Sequence, residues 1–114
     1  MSDCLFCKIV NGDIKSDKVF ENDHILAFND ISPKAPVHIL IIPKKHIPTI
    51  LDLQDSDKWI IGELFSIANS IAKEKGVAEE GFRLVMNCNK NSGQAVFHIH
   101  LHLLGGRIFK WPPG

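Results

Sequence analysis

The longest helical period in the chain runs over residues 56–75. Ile60, Leu64, Ile67 and Ile71 recur at i, i+4, i+7 and i+11, and Ile61, Phe65, Ala68 and Ala72 widen the stripe. Asp55 or Ser56 can cap its start, and Gly76 stands where a helix end takes a left-handed residue. The other apolar runs are short and strand-like. "KVFENDHILAFND" predicts a hairpin turning at "END", with Val19, Phe20, Ile25, Ala27 and Phe28 in its flanks. "VHILII" is rich in β-branched residues, predicts a central strand, and stops at Pro43. "FRLVMN" and "AVFHIHLHLL" predict two more strands, joined through the polar turn "CNKNSGQ". Residues 3–10 predict a short helical turn with Leu5, Phe6 and Ile9 on its apolar side. "ISPKAP" predicts a loop, because each proline fixes φ and removes a backbone donor. The prolines of "GGRIFKWPPG" leave an irregular tail.

Strands in a run with one long helix predict an α+β fold. The expected form is an antiparallel sheet of about five strands, packed by that helix, with a short N-terminal helix. A parallel α/β arrangement would need more crossover helices than the pattern supplies. The 114 residues suit a single domain over 1–114, and 45% hydrophobic residues suffice for a core. Thirteen basic residues balance thirteen acidic ones. Neither nucleic acid nor a membrane surface is therefore an expected partner, and an anionic ligand needs a local site. The start shows no charged-then-apolar leader, and "VHILII" is too short to span a bilayer, so the expected location is cytoplasmic. Three unevenly placed cysteines do not make a disulfide framework.

Candidate chemistry concentrates in "FHIHLHLLGG". Strand alternation puts His98, His100 and His102 on one face, and Phe97, Ile99, Leu101 and Leu103 on the other, toward the helix. Same-face neighbours lie roughly 6.5–7 Å apart. Three imidazoles so spaced can contact one small ligand, but do not easily converge on one metal. A solvated polar face would more often carry Lys, Glu or Thr. Imidazole attacks, donates and accepts protons near neutrality, which points to catalysis or phosphate binding. Separately, Cys4 and Cys7 form Cys-x₂-Cys, which brings two thiolates within reach of one Zn²⁺. His46 and His98 are better further ligands than Cys88. The rival readings are inert thiols or a redox pair, though no strand precedes the pair to start a thioredoxin-like unit. His24, Lys44 and Lys45 read as surface residues.

The segment "HIHLHLL" resembles the motif of the histidine-triad family of nucleotide hydrolases and transferases. "CLFCKIVNGDI", "VFENDHILAFNDISPKAPVHILIIPKKHI" and "LLGGRIFKWPPG" are similar to its purine nucleoside phosphoramidase branch, so the resemblance covers nearly the whole chain. It implies a homodimer in which Trp111-Pro112-Pro113-Gly114 approaches the partner's site. It also implies AMP-releasing hydrolysis of purine nucleoside 5′-phosphoramidates with no catalytic cofactor. His100 falls at the nucleophile position, where a backbone carbonyl of the same strand fixes the tautomer. His102 and His38 fall beside the phosphate.

Asn87, Gly93, Gln94 and Ala95 match phosphate-side positions. Leu5, Phe6, Ile9, Phe28 and Ile31 match base-contacting positions, and Asp30 matches the acid that takes the ribose hydroxyls. Taken alone, these residues are ordinary core and turn formers. The resemblance further implies a structural Zn²⁺ on Cys4, Cys7, His46 and His98, as in members with this Cys-x₂-Cys. One position departs from the branch: Ala95 stands where serine or threonine is usual, which implies reduced phosphoramidase efficiency. Two other functions compete. The Trp-Pro-Pro-Gly ending speaks against a dinucleoside polyphosphate hydrolase. The intact His100 and His102 speak against a nucleotide-binding regulatory protein with vestigial catalysis.

Overall fold

Asn22 closes the first hairpin. Its Oδ1 accepts from the main-chain N–H groups of His24 and Ile25, at 2.9 and 2.8 Å. This turns β1 (Lys18–Glu21) back into β2 (Ile25–Asn29), as "END" predicts. The structure is a computed structural model and describes residues 3–114. Its remaining elements are α1 (Leu5–Val10), β3 (Val37–Pro43), α2 (Lys58–Glu74), β4 (Phe82–Val85) and β5 (Leu101–Gly105). Short 3₁₀ turns lie at Ile50–Asp52, Asp55–Asp57 and Lys90–Ser92. The five strands form one sheet in the order β1-β2-β3-β5-β4, and every pair is antiparallel. The architecture is α+β, and no strand pair follows the parallel alternative.

"VHILII" is apolar at nearly every position because both faces of β3 are covered. Ile39 and Ile41 face α2, together with Ile25, Ala27, Leu101 and Leu103. Leu40 and Ile42 face the opposite way and pack with Leu26, Phe28, Phe6 and Ile9. The long helix therefore covers one face of the sheet, and the short α1 covers the other. On α2 the buried stripe is Ile60, Leu64, Ile67, Ala68, Ile71 and Ala72. Phe65 is exposed, outside the stripe predicted for it.

The helix also starts later than the pattern suggests. Residues 55–57 form a 3₁₀ turn, and neither Asp55 nor Ser56 is the cap. Asp57 is buried there instead: its Oδ2 accepts from Gln54 N, and its Oδ1 pairs with Lys45 Nζ at 2.6 Å. That acid holds the incoming chain against Lys45, two residues past the end of β3. At the other end Gly76 has φ +75°, the left-handed exit its position predicts. A Cβ at Gly105 would lie 2.8 Å from Val77 Cβ, so only glycine lets the helix exit cross the end of β5.

The last strand is shorter than its sequence. β5 begins at Leu101, and residues 95–100 have no ladder. Continuing the β3–β5 register would oppose Pro43 to Ile99, and Pro43 has no N–H to give. Side chains also take the carbonyls a ladder would use: His98 Nε2–H donates to Pro43 O at 2.7 Å, and His100 Nδ1–H donates to His98 O at 2.8 Å. Ile99 keeps one main-chain bond, from its N–H to Ile47 O at 2.8 Å. Ile99, Leu101 and Leu103 do face α2, but Phe97 lies before the strand and is exposed.

Candidate active site

The histidines gather on the α1 face of the sheet. His38 comes from β3 and His102 from β5, while His98 and His100 precede β5 on the same side. Phe6 of α1 packs edge-on against His98, His100 and Phe28, with ring centroids 6.0, 5.1 and 5.6 Å away. His38, His98 and His100 are buried, and His102 is half-buried.

Hydrogen bonds fix which nitrogen of each ring carries its proton. The Lys34 N–H donates to His38 Nδ1 at 3.0 Å, so the His38 proton is on Nε2. That Nε2–H donates to His102 Nδ1 at 3.0 Å, so the His102 proton is on its own Nε2. His100 donates Nδ1–H to the His98 carbonyl, which leaves Nε2 with a free lone pair. The site thus offers one imidazole nitrogen ready to attack and one imidazole N–H ready to donate. Asp30, His38 and His102 could by proximity hold a metal. The tautomers argue for a relay instead, because His38 Nε2 cannot both carry a proton and ligate an ion.

Burial holds all three site imidazoles neutral. It pushes His102 down to about 4, with His100 and His38 adding to the effect. It also lowers His38 against the pull of Asp30, and His100 against that of the His98 carbonyl. The unfolded chain takes up protons on these rings near 6.5, and the folded chain only at lower pH. Stability is therefore expected to fall as the pH drops from about 6.5 toward 4, and to be flat in this respect above about 6.5. Thermal unfolding in this window, compared with His102→Asn, checks it. A variant with the same acid dependence as wild type would contradict it.

Asp30 lies at the end of β2, where its Oδ1 accepts from Ser32 N and its Oδ2 is 3.5 Å from His38 Nε2. Asn87 lines a cleft of about 250 Å³ together with His38, His102, Lys34, Arg83 and Pro113. The tail reaches this cleft within its own chain. Phe109 anchors it between the guanidinium groups of Arg83 and Arg107, 5.3 and 4.3 Å from its ring centroid. Of the predicted base-contacting residues, Phe6, Ile9 and Phe28 are buried. Leu5 is 44% exposed and Ile31 fully so. Those two are not core and leave apolar surface exposed.

The loop before the triad is locked from inside. Gln94 is buried. Its Nε2 donates to Pro48 O and Val96 O, and its Oε1 accepts from Asn89 N. The Gln94 amide thus holds the loop, with no donor turned to a phosphate. Gly93 has φ +90° and ψ 23°, the left-handed turn that glycine tolerates, whereas Asn89 combines φ 66° with ψ −173°, outside the left-handed helical well. Sequence reading missed Pro43 O, Lys34 N–H and Pro48 O. These are main-chain groups, and no residue type announces them.

Cys4, Cys7, His46 and His98 form a second cluster, with donor atoms all within 4.8 Å of one another. His98 Nδ1 lies 3.4 Å from Cys4 Sγ, 3.5 Å from Cys7 Sγ and 3.3 Å from His46 Nδ1; Cys7 Sγ lies 3.3 Å from His46 Nδ1. Tetrahedral zinc, with bonds of about 2.3 Å to sulfur and about 2.0 Å to nitrogen, sets these edges at roughly 3.3–3.5 Å. His98 Nε2–H on Pro43 O leaves Nδ1 free to ligate, the second-shell arrangement of a metal-bound histidine. The donor set fits Zn²⁺. The cysteines sit at the start of α1, where Cys4 caps the helix and accepts from Cys7 N.

A HIT domain model matches residues 11–108. The chain is 50% identical over 103 residues to the purine nucleoside phosphoramidase of Escherichia coli K12, covering 90% of this chain and 87% of that protein. A HIT family hydrolase from Legionella pneumophila superposes with a TM-score of 0.96 at 54% identity, covering 98% of this chain and all of that one. A histidine triad protein from Clostridium difficile superposes at 0.93 with 47% identity, covering 96% of each chain. Among the described residues no helix is long and apolar enough to cross a membrane.

Proposed function

Because the chain belongs to the HIT domain family, we propose that it is a hydrolase that cleaves the P–N bond of purine nucleoside 5′-phosphoramidates and releases AMP. One observation carries this reading: His100 Nδ1–H is held by the His98 carbonyl at 2.8 Å, which leaves the Nε2 lone pair for attack. Nε2 would form a bond to the α-phosphorus as the P–N bond breaks; the departing amine would leave neutral with a proton taken from solvent, while His102 Nε2–H donates a hydrogen bond to a phosphoryl oxygen. The nucleotidyl-imidazole keeps its Nδ1–H on the same carbonyl, which stabilises the positive ring. Water then attacks phosphorus, its proton returns to solvent, and AMP leaves with His100 restored. Covalent catalysis divides one hard displacement into two easier ones. Burial keeps both rings neutral, so the nucleophile is not lost to protonation near pH 7. Asp30 is the group suited to the ribose hydroxyls, with Leu5 and Ile31 suited to the base. The test is AMP release beside His100→Ala.

Cys4, Cys7, His46 and His98 would hold a structural Zn²⁺. When bound, it supplies a cross-link between α1 and the segment before β5. A homodimer fits the exposed sheet edge at β4 and the exposed Ile108 and Trp111 of the tail.

Ala95 lies with Leu5 and His46 in an open cavity over the start of α1. Ala95→Ser would restore a hydroxyl bond usually worth about 1 kcal/mol, or about fivefold in rate. A rise of that order in AMP release is expected, and unchanged turnover would count against a phosphate-side role for this position.

A further inference from the structure

We propose that His98 is a positioning residue for the reaction: metal held on its side chain orients the nucleophile through its main-chain carbonyl. The inference rests on the proposed roles of His100 and of the Cys₂His₂ cluster. Three contacts meet on this one fully buried residue. Its Nδ1 faces the two thiols and His46, its Nε2–H binds Pro43 O, and its carbonyl accepts His100 Nδ1–H.

No sheet ladder holds the peptide from His98 to His100. Its one main-chain anchor is Ile99 N–H on Ile47 O, and Ile47 adjoins the ligand His46. The two residues before the nucleophile are thus tied to the cluster, His98 as one of its members and Ile99 through the neighbour of His46. α1 is tied in too. It has six residues, too few to be stable alone, and it carries Cys7 with Phe6, whose ring packs on His98 and His100. Metal in the cluster therefore fixes three things together: the His98 carbonyl, the His100 tautomer, and the helix against the nucleotide pocket. A purely structural metal would stabilise the fold without affecting the tautomer of His100.

The experiment compares wild type with His46→Ala and His46→Cys. His46 is the exposed ligand; its contacts are to His98 and Cys7, it shares the cavity at the start of α1 with Leu5 and Ala95, and His46→Cys keeps a four-donor set, so the His100 tautomer is the deciding readout. Zinc content, His100 tautomer by nitrogen-15 NMR, AMP affinity by calorimetry and thermal unfolding are read for each. Wild type should hold about one zinc per chain with the His100 proton solely on Nδ1. His46→Ala should lose the metal, show mixed His100 tautomers and bind AMP about 10-fold more weakly or worse. His46→Cys should restore all three. Removing zinc from folded wild type with a chelator, followed by NMR, covers the case in which His46→Ala does not fold.

A metal-free, folded protein that keeps the Nδ1 tautomer and its AMP affinity would overturn the proposal. So would under ~0.1 zinc per chain in protein never exposed to chelator. Unfolding of both the variant and the chelated wild type would also overturn it, because the cluster would then hold the whole fold. If the tautomer follows the metal but wild type releases no AMP, the proposed reaction fails and the coupling stands.

Discussion

Replacing His100 by alanine is expected to lower AMP release from adenosine 5′-phosphoramidate by about 10³-fold or more, while AMP still binds. The size follows from what the ring supplies. Without it no covalent intermediate forms, and water must attack phosphorus directly in a site arranged around an imidazole. The fold should survive, because the His98 carbonyl that loses its partner sits beside His98's own anchors on Pro43 and the cluster. AMP release with nucleotide trapped on His100 of wild type by an alkaline denaturing quench would establish the intermediate. Equal release by the two proteins would remove His100 as nucleophile. No release by either, with AMP bound, would favour a binding role. Release of AMP from dinucleoside polyphosphates alone would favour the neighbouring hydrolase reading.

The second large effect is expected on stability. Gln94→Leu should cost about 3 kcal/mol, a drop of roughly 10–20 °C in unfolding temperature. Leucine keeps the bulk but removes the amide, which makes three hydrogen bonds across the loop. The Asn89 N–H and the Pro48 and Val96 carbonyls lose that partner beside a buried side chain, with Asn89 itself exposed and Pro48 and Val96 half-buried, and each orphaned group costs about 1 kcal/mol. The measurement also separates two roles for this residue. A glutamine that served phosphate would lose AMP affinity in the variant and leave the melting curve unchanged. A loop lock loses stability first.

Much of the fold was legible in the chain. The α2 stripe, the β3 run, the hairpin at Asn22 and the left-handed Gly76 all follow from local periodicity and turn chemistry. The ends of elements were less legible. α2 starts at Lys58 because Asp57 is drawn to Lys45 and Gln54, and β5 starts at Leu101 because Pro43 lies opposite Ile99. Both causes are partners distant in sequence. The same holds for Gln94, which reads as a ligand-facing amide in a polar loop and is turned inward by Pro48.

The sequence by itself determined which groups the site has to work with. Three alternating histidines, a fourth in the β3 strand, and a Cys-x₂-Cys with one further imidazole, His46, bring a candidate nucleophile, a donor and candidate metal ligands. Alternation also placed the imidazoles on the face opposite Ile99, Leu101 and Leu103. Only the tertiary structure decided what each ring does. His98, His100 and His102 are the same residue type at equal spacing, yet one faces thiols, one donates its N–H to a carbonyl, and one accepts a hydrogen bond from His38. The difference comes from Pro43 O, Lys34 N–H and the His98 carbonyl. An imidazole's tautomer is set by whichever main-chain donor or acceptor packing brings within 3 Å of it, and those groups are common to nearly every residue in the chain.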